Sequence, residues 1–440
     1  MFYIVESEEQ LNLIKNSSRF GAFIHVVSTN DDYHPILSDT VAVYIKLLNQ
    51  DRGYIIPIDH SEGLNVGKDK VYSILKEFET LYTLNKKELL YHFNLQAAKD
   101  VSLIYSMTNY DRLEVKKSNF YWFYNKYKGY KDVNKLIPIA KLFDSCEELY
   151  SQVKEYINLE IPQGFDFYNN TATNVFYLTE TSGVGIHYKE FNELFKPKNP
   201  LYNIDNNVTF TNYNLYNSTS RPTNAFNSVN FAAIPKEDSY RKCFKPSNDY
   251  LVEFDFDGYH LRLLCEQIGY DLTSESAHKQ LAKLYFGKDE ISDEEYAQAK
   301  QINFQAIYGK IPEEHKNLEI FVLIQEYIDN LWNSFNISGK IVNPISNKAF
   351  TENLRDMHPS KLMNYMMQSL ETARNIEIMK DLFRFLRDKE SKLVLYIYDA
   401  LIIDYSEKDG PEFFSNLKDL LQSNEKYPVR YKISKDNGLP

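Results

Sequence analysis

Short apolar runs alternate with polar breaks early in the chain, as in FGAFIHVV, VAVYIKLL and GYIIPI between about residue 20 and residue 59. Such runs, bounded by turn-forming residues, predict strands of one sheet. KVYSILKEFETLY and KELLYHFNLQAAKDVSLIYSM follow with apolar residues at three-and-four spacing, which predicts helices. Strands and helices together predict an α/β domain over residues 1–155, with a boundary near Leu159 to Gly164. The Asn-rich stretch from Pro197 to Asn230 has no strong period and predicts loops and short strands. Pattern returns at Tyr250: DYLVEFDF predicts a buried strand, and GYHLRLLCEQIGY and EEYAQAKQINFQAIYG predict helices. KLMNYMMQSLETARNIEIMKDLFRFLRD predicts a long helix, and LVLYIYDALIIDY two strands joined by a tight turn at Tyr398, Asp399 and Ala400.

Length and composition narrow the class without naming a chemistry. At 440 residues the chain has material for two or three domains. Its 43% hydrophobic and 25% charged residues, with 15 Gly and 15 Pro, exclude a disordered or collagen-like chain. Cys146, Cys243 and Cys265 are far apart and show no CxxC or Cys/His ligand spacing, so neither a disulfide framework nor a zinc site is indicated. The beginning, MFYIVESEEQLNLIK, carries acids where a signal peptide needs bases, and no apolar run approaches a membrane span. The expectation is a soluble, cytoplasmic protein. A formal charge of −11 argues against holding nucleic acid through bulk positive charge, though it leaves room for a local basic cleft.

Two acids stand out from this background. Asp255 ends an apolar strand, and Asp399 sits at the tip of an apolar hairpin about 140 residues later, both with flanks that disfavour burial without a partner. Read singly, each is an ordinary strand-end or turn residue. Together, two carboxylates presented side by side at a sheet edge are what a pair of magnesium ions, about 3.5–4 Å apart, requires for in-line phosphoryl displacement. In KQINFQAIYGK, Lys300, Phe304 and Tyr308 recur at i, i+4 and i+8 and so share a helix face. A cation followed by two aromatics can pair with a triphosphate and stack against a base; in isolation the same helix is also an ordinary amphipathic one.

In this order the pieces resemble the polymerase core of family A DNA polymerases, the group of bacterial DNA polymerase I and many phage replicases. The resemblance covers residues 179–440. It makes Asp255 and Asp399 the metal-binding residues of motifs A and C, holding two Mg2+ ions, and Arg262 the arginine of motif A, with a contact to the DNA. It makes Lys300, Phe304, Tyr308 and Gly309 the motif B helix, with the lysine on the incoming triphosphate and the aromatics near the nascent pair. STSRPTN and VNFAAIP are similar to the family's TGR and PNxQxIP stretches, so Arg221 and Asn230 inherit contacts with the duplex. Arg241 and Gln368 match a following arginine and the glutamine of the helix before motif C, and both inherit contacts with the primer-template.

The chain also departs from the family's pattern. His260 stands where the family has the Glu that screens out a ribose 2′-hydroxyl, and Tyr296 stands where an arginine contacts the triphosphate. Motif C reads YDA, which places Tyr398 at the primer-contacting position and Ala400 where a third carboxylate is usual, and TSR replaces TGR. Only about 25 residues separate TETSGVGIHYKEF from STSRPTN, which implies a reduced thumb over residues 156–215 and a processivity factor or helicase as partner. Residues 1–155 are similar in pattern to an RNase H-like 3′–5′ exonuclease domain, but the first strand offers His25 in place of a carboxylate. Asn85 lies near the second expected site without its Asp, and Asp100 and Asp144 read as surface acids.

The expectation is therefore an α+β and α/β chain: an inactive exonuclease-like domain followed by a right-hand polymerase whose palm and fingers span residues 216–440. It would act as a monomeric, phage-type DNA polymerase without proofreading, extending a DNA primer-template with dNTPs in the cytoplasm of an infected cell. His260 leaves open a ribonucleotide-tolerant or primase-like polymerase, and the missing motif residues leave open a silent nucleic-acid-binding replication factor. Retention of Asp255, Asp399 and Lys300 argues against the silent reading.

Overall fold

A computed structural model describes residues 2–16, 21–31, 33–50, 52–116, 120–127, 130–195, 204–224, 229–235, 239–308, 311–422, 427–435 and 438–440. The chain divides into two compact units: the described residues within Met1–Thr181, Lys196–Asn212 and Ala225–Val229, and those of Ser182–Phe195, Tyr213–Asn224 and Asn230–Pro440.

The first unit opens with β1 (Phe2–Ile4), α1 (Glu8–Lys15), β2 (Ala22–Ser28), β3 (Thr40–Leu47), β4 (Arg52–Pro57), α2 (Lys68–Leu75), β5 (Leu81–Thr83), α3 (Lys86–His92), β6 (Lys99–Asp100) and α4 (Val101–Asn109). Then come α5 (Tyr121–Lys126), α6 (Ile139–Ile157), a π-helical turn at Phe167–Ala172 and α7 (Thr173–Ser182), whose last residue opens the second unit. The strands form one sheet in the order β1-β4-β3-β2-β5-β6. β3 is buried along its whole length, which its unbroken apolar run anticipates for a central strand covered on both faces. Ile24, Val43 and Ile45 pack on α1 and α2 through Ile14, Val71 and Leu75, whereas Phe23, Ala42 and Tyr44 pack on α6 through Leu142, Phe143 and Cys146. The sandwiched sheet is the α/β arrangement that the alternation of strands and helices predicts.

Two predicted helices prove composite. KVYSILKEFETLY stops being helical at Lys76, because Leu81 and Thr83 are captured by pairing beside β2 (Ala22↔Leu81, Ile24↔Thr83). KELLYHFNLQAAKDVSLIYSM breaks at Phe93, which turns extended, and restarts where Asp100 caps α4 by accepting from the Leu103 N–H at 2.9 Å. The first unit also runs past residue 155. The buried carboxylate of Glu180 on α7 is salt-bridged to Lys87 of α3, and Tyr91 donates to it at 2.7 Å. Removing either charge would leave the other buried and uncompensated, so this pair ties α7 to the first unit. Residues 156–215, expected as a reduced thumb, are divided between the two units.

The second unit takes β7 (Val184–Ile186) and α8 (Tyr188–Phe195), while β8 (Ile204–Asp205) and β9 (Val208–Thr209) form a short hairpin of the first. It continues with β10 (Tyr213–Asn214), β11 (Thr223–Asn224), β12 (Phe244–Lys245), β13 (Tyr250–Phe256), α9 (Tyr259–Ile268), α10 (Ala277–Phe286), α11 (Asp293–Ile307) and α12 (Glu319–Ser338). The hairpin β14 (Lys340–Val342) and β15 (Ala349–Thr351), α13 (Pro359–Phe385), β16 (Lys392–Ile397), β17 (Ala400–Tyr405), α14 (Phe413–Gln422) and β18 (Val429–Ser434) complete it. β16-β17-β13-β18 is an antiparallel sheet, with α13, the long predicted helix, contributing Met363, Met367 and Leu370 to the core. The β16–β17 turn is one residue shorter than predicted: Ile397 pairs with Ala400, leaving Tyr398 and Asp399 alone at the tip. No described helix is long and apolar enough to cross a membrane.

Candidate active site

The strand register brings the two acids together. Asp255 lies opposite Ala400 in the β13–β17 ladder, so Asp399, one residue earlier, projects at the same end of the sheet. The Phe256 N–H donates to the Asp399 carbonyl at 3.3 Å, extending the pairing into the turn. Asp399 reaches solvent, yet its carboxyl is pushed up to about 6, first by surrounding protein and then by the negative charges of Asp255 and Glu371. Among the described residues no group of three or more His, Cys, Asp or Glu is placed to cage a metal. Two crowded carboxylates nevertheless fit magnesium, which is characteristically held by one or two carboxylates and completes its shell with water and phosphate oxygens.

Tyr398 has left-handed backbone, with φ of 56°. Its carbonyl accepts from Asn375 Nδ2 at 3.0 Å, and the Tyr259 hydroxyl donates to the same amide's oxygen at 2.9 Å. The Arg221 guanidinium lies over the Tyr398 ring, 4.1 Å from its centre. Arg221 also reaches Glu371 Oε1 at 3.1 Å, and the other oxygen of Glu371 meets His260 Nε2. A carboxylate cannot donate, so Nε2 carries a hydrogen, and Nδ1 faces the Tyr308 hydroxyl at 3.4 Å. Thus Arg221, Glu371, His260 and Tyr308 form one chain, in which buried Glu371 links Arg221 to His260.

The Arg221 loop has its own support. Ser220 has left-handed backbone, with φ of 61°. Lys348 is fully buried, donates to Ser220 Oγ at 2.5 Å and to the Ser218 carbonyl at 2.7 Å, and is pushed down to about 7 by burial. The Ser220 hydroxyl thus gives the buried ammonium an acceptor that a glycine would lack.

α11 begins with a capping box between Ser292 and Glu295, which fixes its start and the phase of its faces. Lys300 and Phe304 lie on the exposed side, Phe304 with 62% of its surface open, and Phe304 meets Tyr308 edge-on at 5.2 Å. Asn303 faces inward and donates to His278 Nδ1 at 3.0 Å. Gly309 lies outside the described residues.

Two arginines expected on the duplex instead build the framework. Arg262 is 5% exposed; it donates to the carbonyls of Asp257, Thr273 and Glu275 at 2.9, 2.9 and 2.7 Å and holds the first turn of α10. Its partner Asp257 caps α10, accepting from the Ala277 N–H at 2.9 Å. This fit is close: Gly258 has φ of +58°, and a Cβ there would come within 2.9 Å of Ala277 Cβ. Arg241 is likewise buried, bonded to the carbonyls of Leu439 and Pro440 and 3.7 Å from Glu253. Asn230 is exposed, and Gln368 is half-buried with its amide donating to Asn364 at 2.9 Å.

In the first unit, Asn85 and Asp100 are helix caps. Asp100 is buried, not a surface acid, whereas Asp144 is exposed beside Phe120 and Trp122; His25 lies in β2. Sequence reasoning missed Glu371, Asp257 and Arg430. Glu371 left a signal: it interrupts the i, i+4 stripe Met363, Met367, Glu371, Asn375 that α13 buries.

No family model matches the chain, and no curated protein matches it in sequence. In structure it is similar to the POL domain of Pol1 from M. smegmatis, solved in complex with DNA primer-template and dNTP. The TM-score is 0.67 over 100% of this chain and 99% of that chain, at 13% identity. The likeness is one of fold.

Proposed function

We propose that the chain is a template-directed DNA polymerase of the family A type, adding dNTPs to a primer 3′ end. The observation that carries the reading is the β13–β17 register, which sets Asp255 beside Asp399 within a polymerase-like fold. Asp255 and Asp399 would hold two Mg2+ ions, which supply charge neutralisation at the phosphoryl oxygens and a more acidic primer hydroxyl. Lys300 then takes the triphosphate, Phe304 and Tyr308 flank the nascent pair, and His260, held by Glu371, stands against the sugar. Arg221, Asn230, Gln368 and Tyr398 line the primer-template, while Arg262 and Arg241 act through the framework. The reading includes a cytoplasmic role in phage replication, a monomer, a processivity factor or helicase as partner, and a first unit that does not proofread. That last point rests on Asp100 and Asn85 serving as helix caps.

Primer extension on a DNA template with magnesium tests it, run with dNTPs, with rNTPs and with Asp399→Ala. Extension by dNTPs that the variant lacks supports the reading. Equal use of rNTPs would make the enzyme ribonucleotide-tolerant, and tight primer-template binding without extension would overturn catalysis altogether.

A further inference from the structure

The arginine that the family places on α11 is Tyr296 here, which leaves Lys300 short of a second cation for a triphosphate. The structure brings one from another element. Arg430 lies on the edge strand β18, directly across the ladder from Asp255. Its guanidinium is salt-bridged to Asp257 and keeps 59% of the side chain exposed. Asp257 holds Arg262 at 3.6 Å and the Ala277 N–H besides, so Arg430 is not needed to satisfy it.

Geometry ties both cations to one histidine. On α11, Tyr296 packs edge-on against the His278 ring of α10 at 6.2 Å and Asn303 donates to its Nδ1, with Lys300 between them on the same helix face, while Asp257, the partner of Arg430, caps α10 at Ala277 beside His278. Lys300 and Arg430 therefore flank one histidine from two elements, beside Asp255. An exposed guanidinium with five donors suits phosphate oxygens better than an ammonium does.

We propose that Arg430 is a substrate-binding residue that takes the triphosphate of the incoming nucleotide together with Lys300, replacing from β18 the cation that α11 lacks at Tyr296. The proposal rests on the polymerase reading for its substrate. On binding, the guanidinium turns from Asp257 to the phosphates.

Equilibrium binding of dATP with Mg2+ to the full chain tests this without requiring turnover, with deoxyadenosine as the probe lacking phosphates. Arg430→Ala is expected to weaken dATP binding about tenfold or more and to leave deoxyadenosine binding unchanged, with Arg430→Lys intermediate. Adding Tyr296→Arg to Arg430→Ala should restore dATP binding, which a merely structural Arg430 would not predict. A thermal melt close to wild type shows that Arg430→Ala folds. Unchanged dATP binding in Arg430→Ala, or an equal loss for deoxyadenosine, would overturn the proposal. Wild-type chain that binds dATP in an Arg430-dependent way but extends no primer would sustain this site while sinking the polymerase reading. Wild-type chain that binds no dATP would sink both.

Discussion

The guanidinium of Arg221 lies 4.1 Å from the centre of the Tyr398 ring, joining the loop before β11 to the turn that presents Asp399. Arg221 is also paired with buried Glu371, so the stack is held on its far side by an ion pair. Cation–π contacts contribute about 0.5–2 kcal/mol, increasing with desolvation. Tyr398→Ala should therefore lower unfolding free energy by about 1 kcal/mol and slow single-turnover primer extension about tenfold. Tyr398→Phe keeps the ring and should match wild type in both assays. Alanine meets the same left-handed strain at this position as tyrosine does, so a large loss in Tyr398→Ala alone reports the ring and not the turn.

Asp399 carries the pH dependence. Its carboxyl is raised to about 6, so the folded protein holds a proton that the unfolded chain, with an ordinary aspartate, has already released. The crowding is harmless below the unfolded value, costs progressively more as pH rises through about 6, and is complete above that. In metal-free protein, Asp399→Asn should raise the melting temperature at pH 8 and raise it less at pH 5. Magnesium should stabilise wild type at pH 8 and do little for the variant. A variant that melts lower than wild type at pH 8 without magnesium would contradict the crowding.

The strand end of Asp255, the helix face of Lys300 and the hairpin tip of Asp399 were legible from residues alone, and what was not legible has a common cause. Asp255, Lys300 and Asp399 are marked by what precedes or surrounds them in sequence: an apolar strand, a helical face, a hairpin tip. Arg262 and Arg241 follow the same motif spacing, yet their guanidinium groups turn inward to carbonyls 2.7–3.3 Å away, a choice set by loops distant in sequence. Glu371 shows only as an acid in an apolar stripe, and Arg430 shows not at all, since its place opposite Asp255 is fixed by the β13–β18 register. The split helices around residues 76 and 93 were lost similarly, to sheet pairing and a cap that outweigh local periodicity.

His260 should determine sugar choice only while Glu371 holds it. The imidazole is fixed between a buried carboxylate on one nitrogen and the Tyr308 hydroxyl on the other. His260→Ala opens the space and should raise rNTP use relative to dNTP use about tenfold, read as the ratio of kcat/KM values. Glu371→Gln keeps the shape but removes the charge shared by His260 and Arg221; it should cost about 1–3 kcal/mol of stability and move the ratio part of the way. If Glu371→Gln lowers stability but leaves the rNTP to dNTP ratio at its wild-type value, Glu371 has no part in selectivity.

Arg262 and Lys300, both inherited from sequence motifs, should separate cleanly by experiment. Arg262 is buried among three carbonyls and beside Asp257, so Arg262→Met should cost about 2–4 kcal/mol by leaving those carbonyls without their donor, while Asp257 keeps Arg430 and the Ala277 N–H. The fraction that folds should use dNTPs with a near-normal KM. Lys300 is exposed, and Lys300→Ala should change stability by less than about 0.5 kcal/mol. Its dNTP KM should rise about tenfold to a hundredfold, because a charge-assisted phosphate contact is lost. Denaturant unfolding and steady-state extension on the same preparations check both. A raised dNTP KM in Arg262→Met at unchanged stability would return that arginine to the substrate and remove it from the framework.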